Sequence, residues 1–335
     1  MASGKHIQRR IDPTDGTAVL SPVLWLGVST LGFCVGLALF ARFDPLFELF
    51  VHFAAQYLVA GIVLAIFALL ARRYLAFVLA LGLGLSNLSP LWPYVFAEPP
   101  RIAANGPTLR LVAANLDNWS ADAAALQSFL QSTDADMLVL TEVTMQQEAA
   151  FAAVEAKYTH RWRTQGNRHH PFGLLILARR PLLRAVTHVP FGIDYPIVEF
   201  RHCADDAGRA CVAVIALHAT RPGEEFGDLR DRMLGFAAQR ARLAGAAGEH
   251  AIVVGDLNVT PWSPAFDVFT GLGLRDAGLG QGWQPTWPTG LGAAGIPIDH
   301  VLVSPGLEVG DYRRLKAMNS DHRPLAVELR LHAKP

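Results

Sequence analysis

Net charge is the first thing this chain lacks. Its 29 Lys and Arg balance 29 Asp and Glu over 335 residues, so no global field draws in a polyanion. Only four of the cations are Lys, a bias that bears on composition rather than mechanism. With three cysteines, at most one disulfide can form within the chain. No internal repeat is visible, which sets aside solenoids and propellers. What the chain has in excess is apolar residues: hydrophobic types make up 51% and the mean hydropathy is +0.26. That is high for a soluble enzyme, and the excess is concentrated at one end.

Three apolar runs lie between Ser21 and Phe96: Pro22 to Ala41, about Phe50 to Leu70, and about Tyr74 to Phe96. Each has about 20 residues, the length a helix needs to cross the hydrocarbon core. Soluble helices of that length carry a polar face, and a cleaved signal peptide is shorter and is not followed by two more runs. The expectation is a cytoplasmic tail over residues 1–21, three membrane spans over 22–96, a Pro- and Gly-containing linker over 97–108, and a large domain over 109–335. Lys5, Arg9 and Arg10 precede the first run, and Arg72 and Arg73 separate the second from the third. Arg42 is offset by Asp44 and Glu48. Positive-inside counting then keeps the N-terminus in the cytoplasm and puts the large domain outside. His52 and Gln56, one turn apart near the outer end of the second run, read as interfacial residues.

From Leu109 the grammar changes to short apolar strands alternating with amphipathic stretches, the pattern of one mixed α/β domain. "LRLVAANL", "DMLVLTEV", "GLLILAR", "CVAVIALHAT", "AIVVGDLN", "IDHVLVS" and "PLAVELRL" read as strands. Helices are expected over Ala121 to Gln131, Met145 to Lys157 and Asp228 to Ala244, with a further one starting near Ser263. Cys203 and Cys211 flank "ADDAGRA". A hairpin turning at Asp206 to Gly208 would set them opposite each other near disulfide distance, in keeping with an oxidising compartment. Two separate buried thiols are the alternative.

Polar residues recur where the apolar strands end. Asn115 follows "LRLVAA", Glu142 closes "LVLT", and His218 closes "VIAL". Asp256 and Asn258 stand in "VVGDLN", Asp299 in "PIDHVLVS", and Asp321 and His322 in "NSDHRP". Buried carboxylates without partners are strongly unfavourable, so several that converge call for a cation. The ordered set Asn, Glu, "LH", "GDxN", "IDH" and "SDH" resembles the endonuclease/exonuclease/phosphatase superfamily over roughly Leu109 to Leu331. Three spans ahead of such a domain also resemble membrane proteins associated with bacterial glycopeptide-antibiotic resistance. The resemblance implies a DNase I-like four-layer α/β sandwich preceded by three transmembrane helices. It also implies a metal-dependent phosphoric ester hydrolase using Mg²⁺ or Mn²⁺, whose hard character suits oxygen ligands. Glu142 would bind the ion, with Asn115 in its shell and also near substrate, and Asp321 would be a second metal-side carboxylate. Asp256 would orient or deprotonate the attacking water, while Asn258 would donate to a phosphate oxygen. His322, held by Asp299, would donate to the phosphate, and His218 would bind the phosphate or protonate the leaving oxygen.

Each of these residues has a plainer rival as a turn, cap or surface residue; their joint order favours the site. His300 follows Asp299 in a strand and should face away from the site. Asp194 lies one residue off the place where relatives of the DNase type carry a carboxylate that supports the histidine of "ALH". His169 and His170 read as solvated loop residues. Trp287, in "QPTWP", reads as packing that could flank a substrate. The large domain has a slight acidic excess and no basic stripe, whereas a duplex nuclease depends on cationic groups along the phosphates. The favoured partners are a lipid bilayer and a membrane- or envelope-associated phosphodiester or pyrophosphate, with nucleic acid the less favoured substrate. An inactive membrane-anchored binding protein is the alternative from another class. The sequence gives no reading of oligomeric state.

Overall fold

A computed structural model describes residues 16–98, 106–117, 122–164, 173–192, 195–222 and 228–331. The calls on Lys5, Arg9, Arg10, His169, His170 and Asp194 lie outside the described residues, as does most of the 97–108 segment. The chain divides into two compact units, Met1–Leu91 and Trp92–Pro335.

In the first unit α1 (Gly16–Ala38) is followed by α2 (Pro45–Val51), α3 (Ala54–Leu70), α4 (Tyr74–Leu85) and α5 (Leu88–Val95), which runs on past the unit's end. Of the three apolar runs expected as spans, the first forms a single long helix and the other two are broken. Among the described residues, only α1 is by itself long and apolar enough to cross a membrane. The second and third runs are bent pairs, α2 with α3 at 55° and α4 with α5 at 50°. Asp44 caps the start of α2 by accepting from the Leu46 amide. The break between α4 and α5 has a local cause. Ser86 Oγ and Asn87 Nδ2 both donate to the Leu83 carbonyl, at 2.8 Å each, and so compete with the helix ladder. The packing is inside-out. Small residues meet at the centre, where a Cβ on Gly61 would come within 2.5 Å of Gly84 Cα, while Leu26, Phe33, Phe67 and Leu70 point outward and are exposed.

The second unit is two six-stranded sheets packed face to face. Its elements in chain order are β1 (Thr108–Asn115), α6 (Ala123–Ser132), β2 (Met137–Thr141), α7 (Glu148–Ala152), β3 (His160–Arg163), β4 (Leu175–Ala178), β5 (Leu183–His188), β6 (Ile197–Cys203), β7 (Cys211–His218), α8 (Leu229–Ala246), β8 (His250–Asp256), α9 (Asp267–Thr270), β9 (Arg275–Asp276), β10 (Asp299–Val303), β11 (Leu307–Arg314) and β12 (Leu325–Leu331). One sheet runs β11-β12-β1-β2-β4-β3 and the other β5-β6-β7-β8-β10-β9. Each is centred on a parallel pair joined through a helix, β1 with β2 through α6 and β7 with β8 through α8. Antiparallel strands flank both pairs.

Period-two side chains explain the layers. Along β1, Leu111 and Ala113 enter the core between the sheets, where they join Val139, Val214, Val254 and Val301. Val112 and Ala114 face the other way, onto Leu126 and Leu130 of α6. The second sheet repeats the scheme, with Ile215 and Val253 packed on Met233, Leu234 and Ala237 of α8. Helix, sheet, sheet and helix thus form four layers.

Locally, one expected helix is shortened, a helix starts after Ser263 as expected, and of the two readings of the cysteines the paired one forms. The helix expected over Met145 to Lys157 is only a 3-10 turn, Met145–Gln147, followed by the short α7. The helix expected to start near Ser263 begins as a 3-10 turn, Pro264–Phe266, that runs directly into the short α9, and Ser263 caps it by accepting from the Ala265 amide at 3.1 Å. Cys203 and Cys211 do lie opposite each other across β6 and β7, with Cα atoms 3.9 Å apart, and are joined in a disulfide.

Candidate active site

Chain direction brings the polar strand ends together. The parallel strands β1, β2, β7 and β8 finish at one edge of the sandwich, where Asn115, Glu142, His218 and Asp256 stand at or just past their C-terminal ends. β10 runs antiparallel to β8 with Asp299 registered against Asp256, so its first residue reaches the same edge. β12 is antiparallel to β1, and the loop before it supplies His322. All six side chains are buried.

Asn115 is the joint of the cluster: its amide donates to Glu142 Oε1 and to Asp256 Oδ2, both at 2.9 Å. Glu142 holds a left-handed backbone, φ 54°, as does Asn258 at φ 51°. Such conformations in non-glycine residues concentrate at functional sites. Asp256 uses Oδ1 to accept from the Asn258 amide at 2.9 Å, closing a tight turn. Asn258 Nδ2 then donates to the Ala219 carbonyl at 2.8 Å. His218 Nε2 lies 3.5 Å from Asp256 Oδ2 and 3.7 Å from Glu142 Oε1. Gly255, just ahead of Asp256, has φ 140°, and a Cβ there would fall 1.9 Å from the Leu217 carbonyl oxygen. Only glycine lets β8 approach β7 this closely at the site.

Across from these, His322 Nδ1 contacts Asp299 Oδ2 at 2.8 Å, and its Nε2 points to Asp256 Oδ2 at 3.7 Å and Asp321 Oδ1 at 3.8 Å. Burial disfavours a charge on His322, yet Asp299, Asp256 and Asp321 outweigh it and push its pKa up to about 10. Burial also raises Asp256, reinforced by repulsion from Asp299 and partly offset by His322 and His218. Asp321 stands on the outer flank, 44% exposed at its side chain, and accepts from Trp287 Nε1 at 2.8 Å.

Three residues not assigned to the site from sequence help to build it. Ser320 donates to the Asn115 carbonyl at 2.8 Å and accepts from the His322 amide at 3.0 Å, tying β1 to the final loop. Thr286 Oγ1 accepts from the Asp299 amide at 3.2 Å. Trp287 orients Asp321, a more specific role than packing. Ser320 and Thr286 lie inside "NSDH" and "QPTWP", so the motifs held the signal.

Asp256, Asp299 and His322 form a buried group whose potential ligand atoms all lie within 4.8 Å of one another. Within that group Asp299 and His322 already satisfy each other. Beside that group, Glu142 and Asp256 are spanned by the Asn115 amide. An oxygen-dominated donor set with surplus negative charge fits a divalent ion such as Mg²⁺ or Mn²⁺.

The model of the endonuclease/exonuclease/phosphatase family matches residues 104–322. The chain belongs to this family. Its members are generally phosphoesterases and nucleases that usually use divalent metals, and the buried Asp256, Asp299 and His322 cluster lies within the matched residues. Among solved structures, a family protein from Bacteroides thetaiotaomicron is 18% identical, with a TM-score of 0.55 over 70% of this chain and 99% of that one. D. rerio TDP2, complexed with a single-strand DNA product, is 14% identical, with a TM-score of 0.54 over 66% of this chain and 98% of that one. The human Nocturnin catalytic domain, with a bound sulfate anion, is 18% identical, with a TM-score of 0.52 over 70% of this chain and all of that one. These likenesses show the fold alone. Comparison with curated protein sequences gave no match.

Proposed function

We propose that this family member is a membrane-anchored, divalent-metal-dependent phosphohydrolase that cleaves a phosphodiester or pyrophosphate of a membrane- or envelope-associated substrate on the outer face. The observation that carries the reading is the buried cluster in which Asn115 bridges Glu142 and Asp256 opposite the His322–Asp299 pair. Glu142, with Asp256 and Asn115 beside it, would hold the ion, and Asp321 is a further carboxylate on the flank. When bound, the ion supplies charge to polarise the phosphoryl group and stabilise its negative oxygens.

The chain's own groups then divide the work. Asp256, raised by burial, orients the attacking water and takes its proton. Asn258 donates its amide to a non-bridging phosphate oxygen. His322, fixed by Asp299 through Nδ1, presents a protonated Nε2 to the phosphate. As the water oxygen bonds to phosphorus and the ester P–O bond breaks, His218 donates a proton to the leaving oxygen.

The membrane placement rests on α1 as one span, with each bent pair counted as another, and on the positive-inside distribution of Arg and Lys. The Cys203–Cys211 disulfide supports an oxidising, extracytoplasmic location for the large domain. Three spans before such a domain also match the arrangement of glycopeptide-resistance-associated membrane proteins. Near-neutral charge favours a lipid-linked phosphate ester over a nucleic acid, although the fold is shared with D. rerio TDP2 complexed with DNA. The test is a single screen of the full chain in detergent with Mg²⁺ or Mn²⁺ against phospholipids, isoprenoid diphosphates and single- and double-stranded DNA. Metal-dependent turnover with a lipid phosphate ester preferred is expected. Preference for DNA would replace this reading with an extracytoplasmic nuclease, and no turnover on any substrate would favour a binding protein.

A further inference from the structure

Directly across the β8–β10 ladder from Gly255 stands His300, the neighbour of Asp299 that strand alternation turns away from the site. It is buried, and both ring nitrogens meet oxygen. Nδ1 lies 2.9 Å from Asp276 Oδ2 and Nε2 lies 2.8 Å from the Val259 carbonyl. A carbonyl only accepts, so Nε2 must carry a proton and donate it. Asp276 in turn is held on several sides. Its Oδ1 accepts from the Gly278 amide at 2.8 Å, and the Tyr94 hydroxyl also hydrogen-bonds to its carboxylate. The Phe266 ring packs beside the imidazole with centroids 5.1 Å apart.

The carbonyl that His300 grips belongs to the residue after Asn258. The turn from Asp256 to Val259 carries both the water-orienting carboxylate and the phosphate-binding amide. Its left-handed Asn258 requires support from outside. The Leu257 amide donates to Ile298 on one side, and the His300 bond to Val259 closes the other. Burial disfavours a charge on the ring, but Asp276 and the Val259 carbonyl outweigh it and hold His300 above the usual histidine range.

We infer that His300, oriented by Asp276, is a positioning residue that fixes the Asp256–Asn258 turn by holding the Val259 carbonyl. The inference rests on the hydrolytic role proposed for Asp256 and Asn258, but its structural half is measured separately. The two amide variants of His300 divide its two bonds. His300→Gln places a donor where Nε2 stood and keeps the grip on Val259. His300→Asn keeps a donor toward Asp276 and is too short to reach Val259.

In the full chain, His300→Asn should lower kcat about 10- to 100-fold with KM changed by less than about threefold, as expected when supporting groups around a site are lost. Hydrogen exchange of the backbone amides at 257–260 should quicken in the same variant. His300→Gln should restore both, with kcat within about threefold of wild type. If His300→Asn does not fold, Asp276→Asn, which keeps the shape but removes the charge orienting the ring, takes its place in the comparison. Equal losses in the Asn and Gln variants, or unchanged exchange at 257–260 in the Asn variant, would overturn the assignment. Should wild type lack turnover, the hydrolytic reading fails, and the exchange comparison alone still decides whether His300 fixes the turn.

Discussion

Asp256 and Asn258 emerge from one short turn, and the proposed hydrolysis gives them different tasks, which their partners make separable. Asp256 sits among Asn115, His218 and His322, whereas Asn258 leans on the Ala219 carbonyl. Asn258→Ala should lower kcat about 10²- to 10³-fold, the usual effect of deleting one charge-stabilising donor, while the backbone bond from its amide to Asp256 survives. Steady-state kinetics on a chromogenic phosphodiester would read this, and an unchanged rate would remove Asn258 from the phosphate. His322 sets a pH dependence of stability. Its folded pKa of about 10 exceeds the ordinary 6.5, so its contribution is full below about pH 6.5 and fades as pH rises through about 10, by at most about 1.4 kcal/mol per pH unit. Thermal unfolding in EDTA should therefore show wild type losing more stability between those limits than Asp299→Asn, and parallel curves would contradict the pairing. At this scale the sequence was informative because each polar residue interrupts an apolar run. It could not show that Asp321 would be taken by Trp287, since that contact spans 34 residues and depends on how two loops meet.

Elements were legible according to their place in the sheets. The strands named from sequence lie inside the sheets, and β2, β8 and β10 among them carry Val, Leu and Ile runs buried on both faces. Of those not named, β6 lies next to the edge strand β5, and β3, β5, β9 and β11 occupy the four sheet edges. There "HRWR", "LRAVTH" and "LEVGDYRR" mix charge with apolar residues in the manner of protected edges. The strands β6 to β8 carry two predictions. Gly255→Ala combines φ 140° with a Cβ 1.9 Å from the Leu217 oxygen, so it should cost at least about 3 kcal/mol and sharply lower the melting temperature; a variant as stable as wild type would refute the close approach. The β6–β7 hairpin should leave a single titratable thiol, Cys34, under denaturing, non-reducing conditions, rising to three after reduction. Three thiols before reduction would remove the disulfide and with it one support for the outward placement.

For the whole molecule, hydropathy and length place the apolar excess at the N-terminal end, ahead of the α/β pattern. What they did not reveal is where the apolar helices bend, because a break such as that between α4 and α5 comes from single side chains, here Ser86 and Asn87 returning to the Leu83 carbonyl. A reporter fused after Pro335 should be active only outside the cytoplasm, and cytoplasmic activity would reverse the topology. The central claim, that the buried strand-end cluster hydrolyses phosphate esters with a divalent ion, is tested most directly on the full chain in detergent. The measurement is hydrolysis of bis-p-nitrophenyl phosphate with Mg²⁺ or Mn²⁺ by wild type, Asp256→Ala and His322→Ala. The account predicts turnover abolished by EDTA and reduced about 10²- to 10⁴-fold in each variant; turnover that survives EDTA, or that is equal in all three proteins, would contradict it.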